Sequence, residues 1–229
     1  MVEGIIYRYR TGIPWRDLPR EQFGPWQTGR RHRRFAGDGT WDQVLTALLA
    51  QADAAGLVDW SVSVDSTINR AHQHAGVHHA VDGRGRPLVV IVAPGQGHDG
   101  KMLPDLLDEI RVPRLGPGRP RTRPDKILGD KAYSSRATRT LLRSRGIDAV
   151  IPEPCDQRAN RQRRGARGGR PVSYDHDTYK GRDVVERSFV HLKQWLGLAT
   201  CYDKLAIVYR AAAVLAAAIT WLRHIGDTL

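Results

Sequence analysis

The stretch "DGTWDQVLTALLAQADAAG" places apolar residues at three- and four-residue steps and stops at Gly56, which predicts an amphipathic helix. The pattern then changes period. "DWSVSVDSTINR" (59–70) alternates and is rich in Val and Thr, so it predicts a strand. "VHHAVD", the turn "GRGR" and "PLVVIVAPG" predict a hairpin whose second strand is buried. "GHDGKMLPDLLDEI" returns to helical spacing with Asp99 as its cap, and "RVPRLGPGRPRTRP" is a connector. "DKILGD" (125–130) is a short buried strand. "SSRATRTLLRSRG" is a helix with a Ser cap and a Gly stop, and "IDAVIPEP" is another strand. Residues 155–178 carry no apolar period and read as a flexible basic loop, followed by a helix from Tyr179. Before all of this, residues 1–58 read as short helices broken at "GIPWRDLP" and "EQFGPWQT", with exposed tryptophans. The order predicts an α/β protein: a mixed sheet with flanking helices (59–229), ending in a C-terminal helix and preceded by a small helical region (1–58).

Charge narrows the choice of partner. The formal net charge is +12, and thirty of the 36 basic residues are arginine. Such an excess favours a polyanion, and arginine forks phosphate oxygens well. "GRRHRRF" concentrates Arg30, Arg31, Arg33 and Arg34 on a predicted helix, a pattern suited to contact with a nucleic-acid backbone or simply to a solvated basic face. Cys155 and Cys201 match no ligand spacing and imply a reducing compartment. Met1 leads straight into "VEGIIYRYRTG", with no secretory signal visible. "LAIVYRAAAVLAAAITWL" (205–222) is interrupted by Arg210 and rich in alanine, so it is expected to pack inside the protein, not to span a membrane. A cytoplasmic protein is expected.

The chemistry concentrates in three acids. Asp65 follows the alternating run "SVSV", and Asp130 closes "KILGD" directly before a turn. If their strands are neighbours, the two carboxylates would lie about 5 Å apart, the interstrand spacing. The helix "YKGRDVVERSFVHLK" carries two stripes. Val185, Phe189, Leu192 and Leu196 form the one a core would take. Tyr179, Arg182, Glu186 and Lys193 fall within an arc of roughly 60° beside it. Glu186 could bring a third carboxylate to the pair. Three converging carboxylates repel one another, and hard divalent cations relieve that repulsion. Two such ions about 3.5–4 Å apart can activate an attacking oxygen and stabilise a leaving one. Each acid also has a plain reading: Asp130 as a helix cap, Asp65 as a turn carboxylate, Glu186 as a surface acid.

The spacing Tyr, two residues, Arg, three residues, Glu, six residues, Lys resembles the signature of bacterial insertion-sequence transposases of the DDE class, in the insertion-sequence four/five superfamily. "VDST" resembles that family's first-Asp motif and "GDKAY" its second, while "PWRDLP", "GPWQT" and "DGTWD" resemble its N-terminal region. The resemblance implies an RNase H-like core in which Asp65, Asp130 and Glu186 hold two Mg²⁺ or Mn²⁺ ions. It implies hydrolysis at the ends of a mobile element, followed by attack of a 3′-hydroxyl on target DNA. Tyr179, Arg182 and Lys193, with Lys131, would hold the DNA backbone, and a homo-oligomer would gather the element's terminal inverted repeats.

Two departures from the family pattern set further expectations. Less helical sequence than usual precedes "RTGIPWRDLP", so part of the DNA-binding region is expected to be missing. The segment before "VDGRGRPL" is short, which is expected to shorten the second strand. The alternative function is therefore an inactive or truncated transposase remnant that only binds DNA. "HQHAGVHH", with His72, His74, His78 and His79, invites either a zinc site or an exposed hairpin near DNA. The Arg-rich loop 158–170 is expected to contact DNA and order on binding.

Overall fold

The computed structural model describes residues 1–70, 74–94, 99–200 and 203–226. Helices α1 (Val2–Thr11), α2 (Arg20–Phe23), α3 (Thr28–Gly37) and α4 (Thr40–Ala54) come first, then strands β1 (Ser61–Arg70), β2 (His74–Val81) and β3 (Pro87–Pro94). Helix α5 (Asp99–Glu109), strand β4 (Lys126–Leu128), helix α6 (Arg136–Ser144) and strand β5 (Asp148–Val150) follow. The chain ends in helices α7 (Cys155–Arg163), α8 (His176–Lys180), α9 (Asp183–Lys193), α10 (Leu196–Ala199) and α11 (Ala206–Gly226).

Among the described residues the strands form one sheet in the order β3-β2-β1-β4-β5. The β1–β2 and β2–β3 ladders are antiparallel, while β1–β4 and β4–β5 are parallel. This mixed order is the RNase H-like arrangement that the resemblance implies. β1 is central, and Val62, Ser63 and Val64 are all fully buried, so both of its faces are covered. α5 packs on β1, β2 and β3, whereas α9 meets β1 and β2 and α11 meets β3. Local chemistry sets the ends of α6 as expected: the Ser135 side chain accepts from the Thr138 N–H, and Gly146 stops the chain at φ 65°.

The N-terminal helices share the core with the sheet. α11 packs on α4 and α3, and its Val208, Tyr209, Leu215 and Trp221 are buried. By length and composition α11 could cross a membrane, yet 61% of its most apolar window is buried within the protein. His32 ties three helices together. Its Nε2 lies 3.2 Å from the Val208 carbonyl oxygen, and the Trp41 indole N–H donates to its Nδ1 at 3.2 Å. That pairing fixes a neutral imidazole with the proton on Nε2.

Four expectations need correction. First, β2 is not shortened: its eight residues equal β3 in length and pair with β1 as far as Arg70. Second, His78 and His79 are buried on opposite faces of that strand, so they neither share a metal nor stand exposed. His79 stacks on Phe189 at 4.5 Å instead. His72 and the side chains of His74 and Asp99 lie outside the described residues. Third, the start of the basic loop is the helix α7. It buries nothing, so no apolar period marks it. Its support is electrostatic: Asp156 in its first turn, Arg161 and Arg163 in its last, and an Arg161–Glu153 ion pair. Fourth, the helix expected from Tyr179 is two helices. Asp175 caps α8 through the N–H groups of Asp177 (2.9 Å) and Thr178 (3.1 Å), and α9 starts anew after Gly181. Val185, Phe189 and Leu192 form the buried stripe as expected, but Leu196 falls beyond α9 and is 51% exposed.

Two of the buried imidazoles, His32 and His79, make stability depend on pH. Burial pushes His79 down to about 3, helped by the neighbouring His78, and pushes His32 down to about 4. Both folded values lie below the unfolded value of about 6.5. Their contribution is therefore complete above pH 6.5 and is lost as pH falls towards 4 and then 3. Each His can add a slope of up to about 1.4 kcal/mol per pH unit. The urea midpoint should fall between pH 7 and pH 5, and His79→Leu should flatten the decline by about one proton's worth. Equal midpoints for the native protein at both pH values would refute this account.

Candidate active site

The site is built where the β1–β4 ladder ends. That ladder pairs Ser61 with Lys126, Val62 with Ile127 and Ser63 with Leu128. Continued two residues further, the same register brings Asp130 level with Asp65. Asp65 lies inside β1, paired opposite His79 of β2, and so is neither a turn residue nor at the end of its strand. Asp130 opens a 3-10 turn (Lys131–Tyr133), and its Oδ1 accepts the Ala132 N–H at 2.8 Å. Asp130 is thus a cap as well as an acid beside Asp65. Gly129 allows this turn, because a Cβ there would meet the Tyr133 ring at 3.2 Å.

Asp65 is the most enclosed of the three acids. Its Oδ1 accepts the Ser66 N–H at 2.8 Å, and Arg182 Nη1 donates to its Oδ2 at 3.3 Å. Burial pushes its carboxyl above the usual range, and the charge of Asp130 pushes the same way. Ser66 and Arg182 offset part of that shift. Glu186 stands on the open side: its side chain is 59% exposed, against 20% for Asp65. Arg182 Nη2 donates to Glu186 Oε1 at 2.6 Å, so one guanidinium bridges two of the acids. Burial alone would lower the pKa of Arg182, but Asp65, Tyr179 and Glu186 together raise it. Among the described residues no three acidic, His or Cys side chains already form a metal cage.

The remaining expected residues divide into two groups. Lys193, on α9, donates to Thr67 Oγ1 at 3.3 Å, and Thr67 shares a sheet face with Asp65. Tyr179 is half-buried on α8, with Tyr174 set edge-on at 5.6 Å. Lys131 is exposed beside Asp130. Arg30, Arg31, Arg33 and Arg34 are all exposed on α3, which packs on α1, α4 and α11, so they belong to another group of elements. Sequence reasoning missed Thr67, Tyr174 and His176. The rings of the last two lie 4.4 Å apart, tilted at 41°, beside Tyr179, and the aromatic spacing of "YDHDTY" was the signal for them.

The sheet order, with Asp65 on β1 and Asp130 two residues past the adjacent β4, is that of an RNase H-like α/β protein. Within that class the chain belongs to the transposase DDE domain family, whose model matches residues 55–221. A second family model, described as a putative transposase of the IS4/5 family, matches residues 1–45. The chain is 39% identical over 85 residues to an uncharacterized protein, y4sN, of Sinorhizobium fredii, covering 36% of this chain and 63% of that one. It is 28% identical over 143 residues to a putative transposase for insertion sequence element IS402 of Burkholderia cepacia, covering 62% and 60%. The matches thus span less than two thirds of the length of these curated relatives. Among solved structures, the catalytic domain of Mos1 mariner transposase aligns over 82% of this chain and 91% of its own, with 11% identity and a TM-score of 0.31.

Proposed function

We propose that this protein is a DNA transposase that cleaves the ends of an insertion element and transfers them to target DNA. The observation that carries the reading is that Arg182 joins Asp65 to Glu186 while the β1–β4 register brings Asp130 level with Asp65, in a chain of the DDE family. Their donor set is hard oxygen, and their mutual repulsion needs a cation, which suits two Mg²⁺ or Mn²⁺ ions. Such ions supply charge neutralisation at the reacting phosphate and help activate the attacking oxygen.

The chain's own residues supply the rest. Arg182 and Lys193, on one side of α9, and Lys131, beside Asp130, neutralise and position the phosphate backbone. Tyr179 braces it from α8. Phosphoryl transfer draws chiefly on such positioning and charge stabilisation. Region 1–58, through Arg30, Arg31, Arg33 and Arg34, adds backbone contacts outside the core of residues 59–229, as does the Arg-rich stretch 158–170. A homo-oligomer in the cytoplasm would bring two terminal inverted repeats together.

The test is a cleavage and strand-transfer assay on DNA carrying the inverted repeats that flank the gene, with Glu186→Gln alongside. Products that require Mg²⁺ or Mn²⁺ and vanish in the variant are expected. A second reading, a DNA-binding protein without catalysis, draws on the outward turn of Glu186. Salt-sensitive binding with no metal-dependent product would favour it.

A further inference from the structure

We propose that Arg182 is the exchangeable resident cation of the carboxylate cluster: it occupies Asp65 and Glu186 until a divalent ion displaces it, and the freed guanidinium then takes a DNA phosphate. The inference rests on the reading of Asp65, Asp130 and Glu186 as metal ligands. It assigns Arg182 two successive partners and makes metal loading the switch between them.

Asp65 Oδ1 already accepts the Ser66 N–H at 2.8 Å, so Oδ2 is the oxygen that no backbone donor engages. Arg182 Nη1 already holds that atom, at 3.3 Å. The other arm of the same guanidinium holds Glu186 Oε1 at 2.6 Å. Asp65 and Glu186 come from elements 121 positions apart in the chain (186 − 65), and one planar fork spans both. A divalent ion entering between these acids would meet a positive charge on the oxygens it needs. An ion that binds through Asp65 Oδ2 and Glu186 Oε1 requires the guanidinium to leave them.

Where Arg182 sits says where it goes. It occupies the N-cap position of α9, the positive end of the helix dipole, where a cation is unfavourable without an anion nearby. In the metal-free protein Asp65 and Glu186 are that anion. Once an ion takes them, Arg182 loses both carboxylate partners and only Asp183 remains to offset the first turn of α9, so a phosphate diester can replace the lost anions. Metal and DNA would then bind with positive, reciprocal coupling. A purely structural bridge makes the opposite prediction. If Arg182 served only to hold Glu186 towards the site, removing it would weaken metal binding.

Mn²⁺ titration of the full chain without DNA, followed by electron paramagnetic resonance, separates these outcomes. Arg182→Gln should bind Mn²⁺ about tenfold more tightly, because a like charge within a few ångströms is gone. Arg182→Lys, which keeps the charge, should stay near the native affinity. Weaker or unchanged binding by Arg182→Gln overturns the proposal. Asp65→Asn and Glu186→Gln should each lose Mn²⁺ affinity. If neither does, the metal-site reading fails and takes the proposal with it, a result distinct from the first. A measurement on the native protein guards against a misfolded variant. The Arg182 Nε–H resonance should move on adding Mg²⁺, and an unmoved resonance at saturating Mg²⁺ overturns the exchange.

Discussion

Asp65→Asn is expected to lower strand cleavage by on the order of a thousandfold and to leave the melting temperature unchanged or slightly raised. The loss follows from the proposed role, because the amide carries no charge with which to hold a divalent ion. The thermal result follows from the environment of the carboxylate. Burial is the largest influence on Asp65 and disfavours its charged form, with Asp130 adding to the effect. The Asn oxygen can still accept the Ser66 N–H, so no buried donor is orphaned. Arg182 keeps its second partner, Glu186. A charge held against its own stability marks a position that serves something other than folding. Differential scanning calorimetry beside the cleavage assay checks both halves. A fall of several degrees would make Asp65 the structural counter-ion of Arg182, and its place in the active site would lose its support.

What the sequence made legible was local. β4 and β5 announce themselves as short apolar runs between turn residues, and α6 carries its own Ser cap and Gly stop. The face of α9 that carries Arg182, Glu186 and Lys193 is legible because helical spacing is local too. The break before α9 was hidden, because Gly181 keeps a helical φ of −70° and the stop comes from hydrogen bonding around it. α7 was illegible for the opposite reason: none of its residues is buried, so propensity and charge specify it. The burial of His78 and His79 could not be read either, because both faces of β2 are covered and polar residues there mimic a loop. The acids were identifiable as candidates, but their meeting depends on the β1–β4 register, a long-range fact. The pairing of Arg182 with Asp65 is of the same kind: a motif gives Arg182 a family role, yet only the fold shows what it holds without DNA.

The hairpin turn "VDGRGRP" shows the same limit in stability, and gives the largest expected loss of it. Asp82 closes the strand read from "VHHAVD" and Arg86 lies in the turn "GRGR", and both are buried. Asp82 Oδ1 accepts the N–H groups of Arg84 (3.1 Å) and Arg86 (2.8 Å), while Oδ2 accepts those of Asp59 (3.3 Å) and the Arg86 Nε (3.0 Å). The Arg86 guanidinium lies 4.3 Å from the ring centre of the fully buried Trp221, whose N–H donates to the Pro87 carbonyl oxygen at 2.7 Å. Asp82→Ala leaves a buried guanidinium unpaired and strips several backbone donors of their acceptor, at a cost of about 3–5 kcal/mol. For a protein of this size that corresponds to roughly 10 °C in Tm. The double variant Asp82→Leu/Arg86→Met should recover much of the loss, since removing both charges avoids the uncompensated one. If Asp82→Ala melts within about 2 °C of the native protein, water reaches the pair and the latch does not exist. The bond to the Asp59 N–H reaches the segment that enters β1, the strand of Asp65. Cleavage by Asp82→Ala should therefore fall as the protein loosens on warming and return on cooling. In Asp65→Asn activity is lost at every temperature while the fold stands, and that contrast separates a residue that holds the sheet from one that uses it.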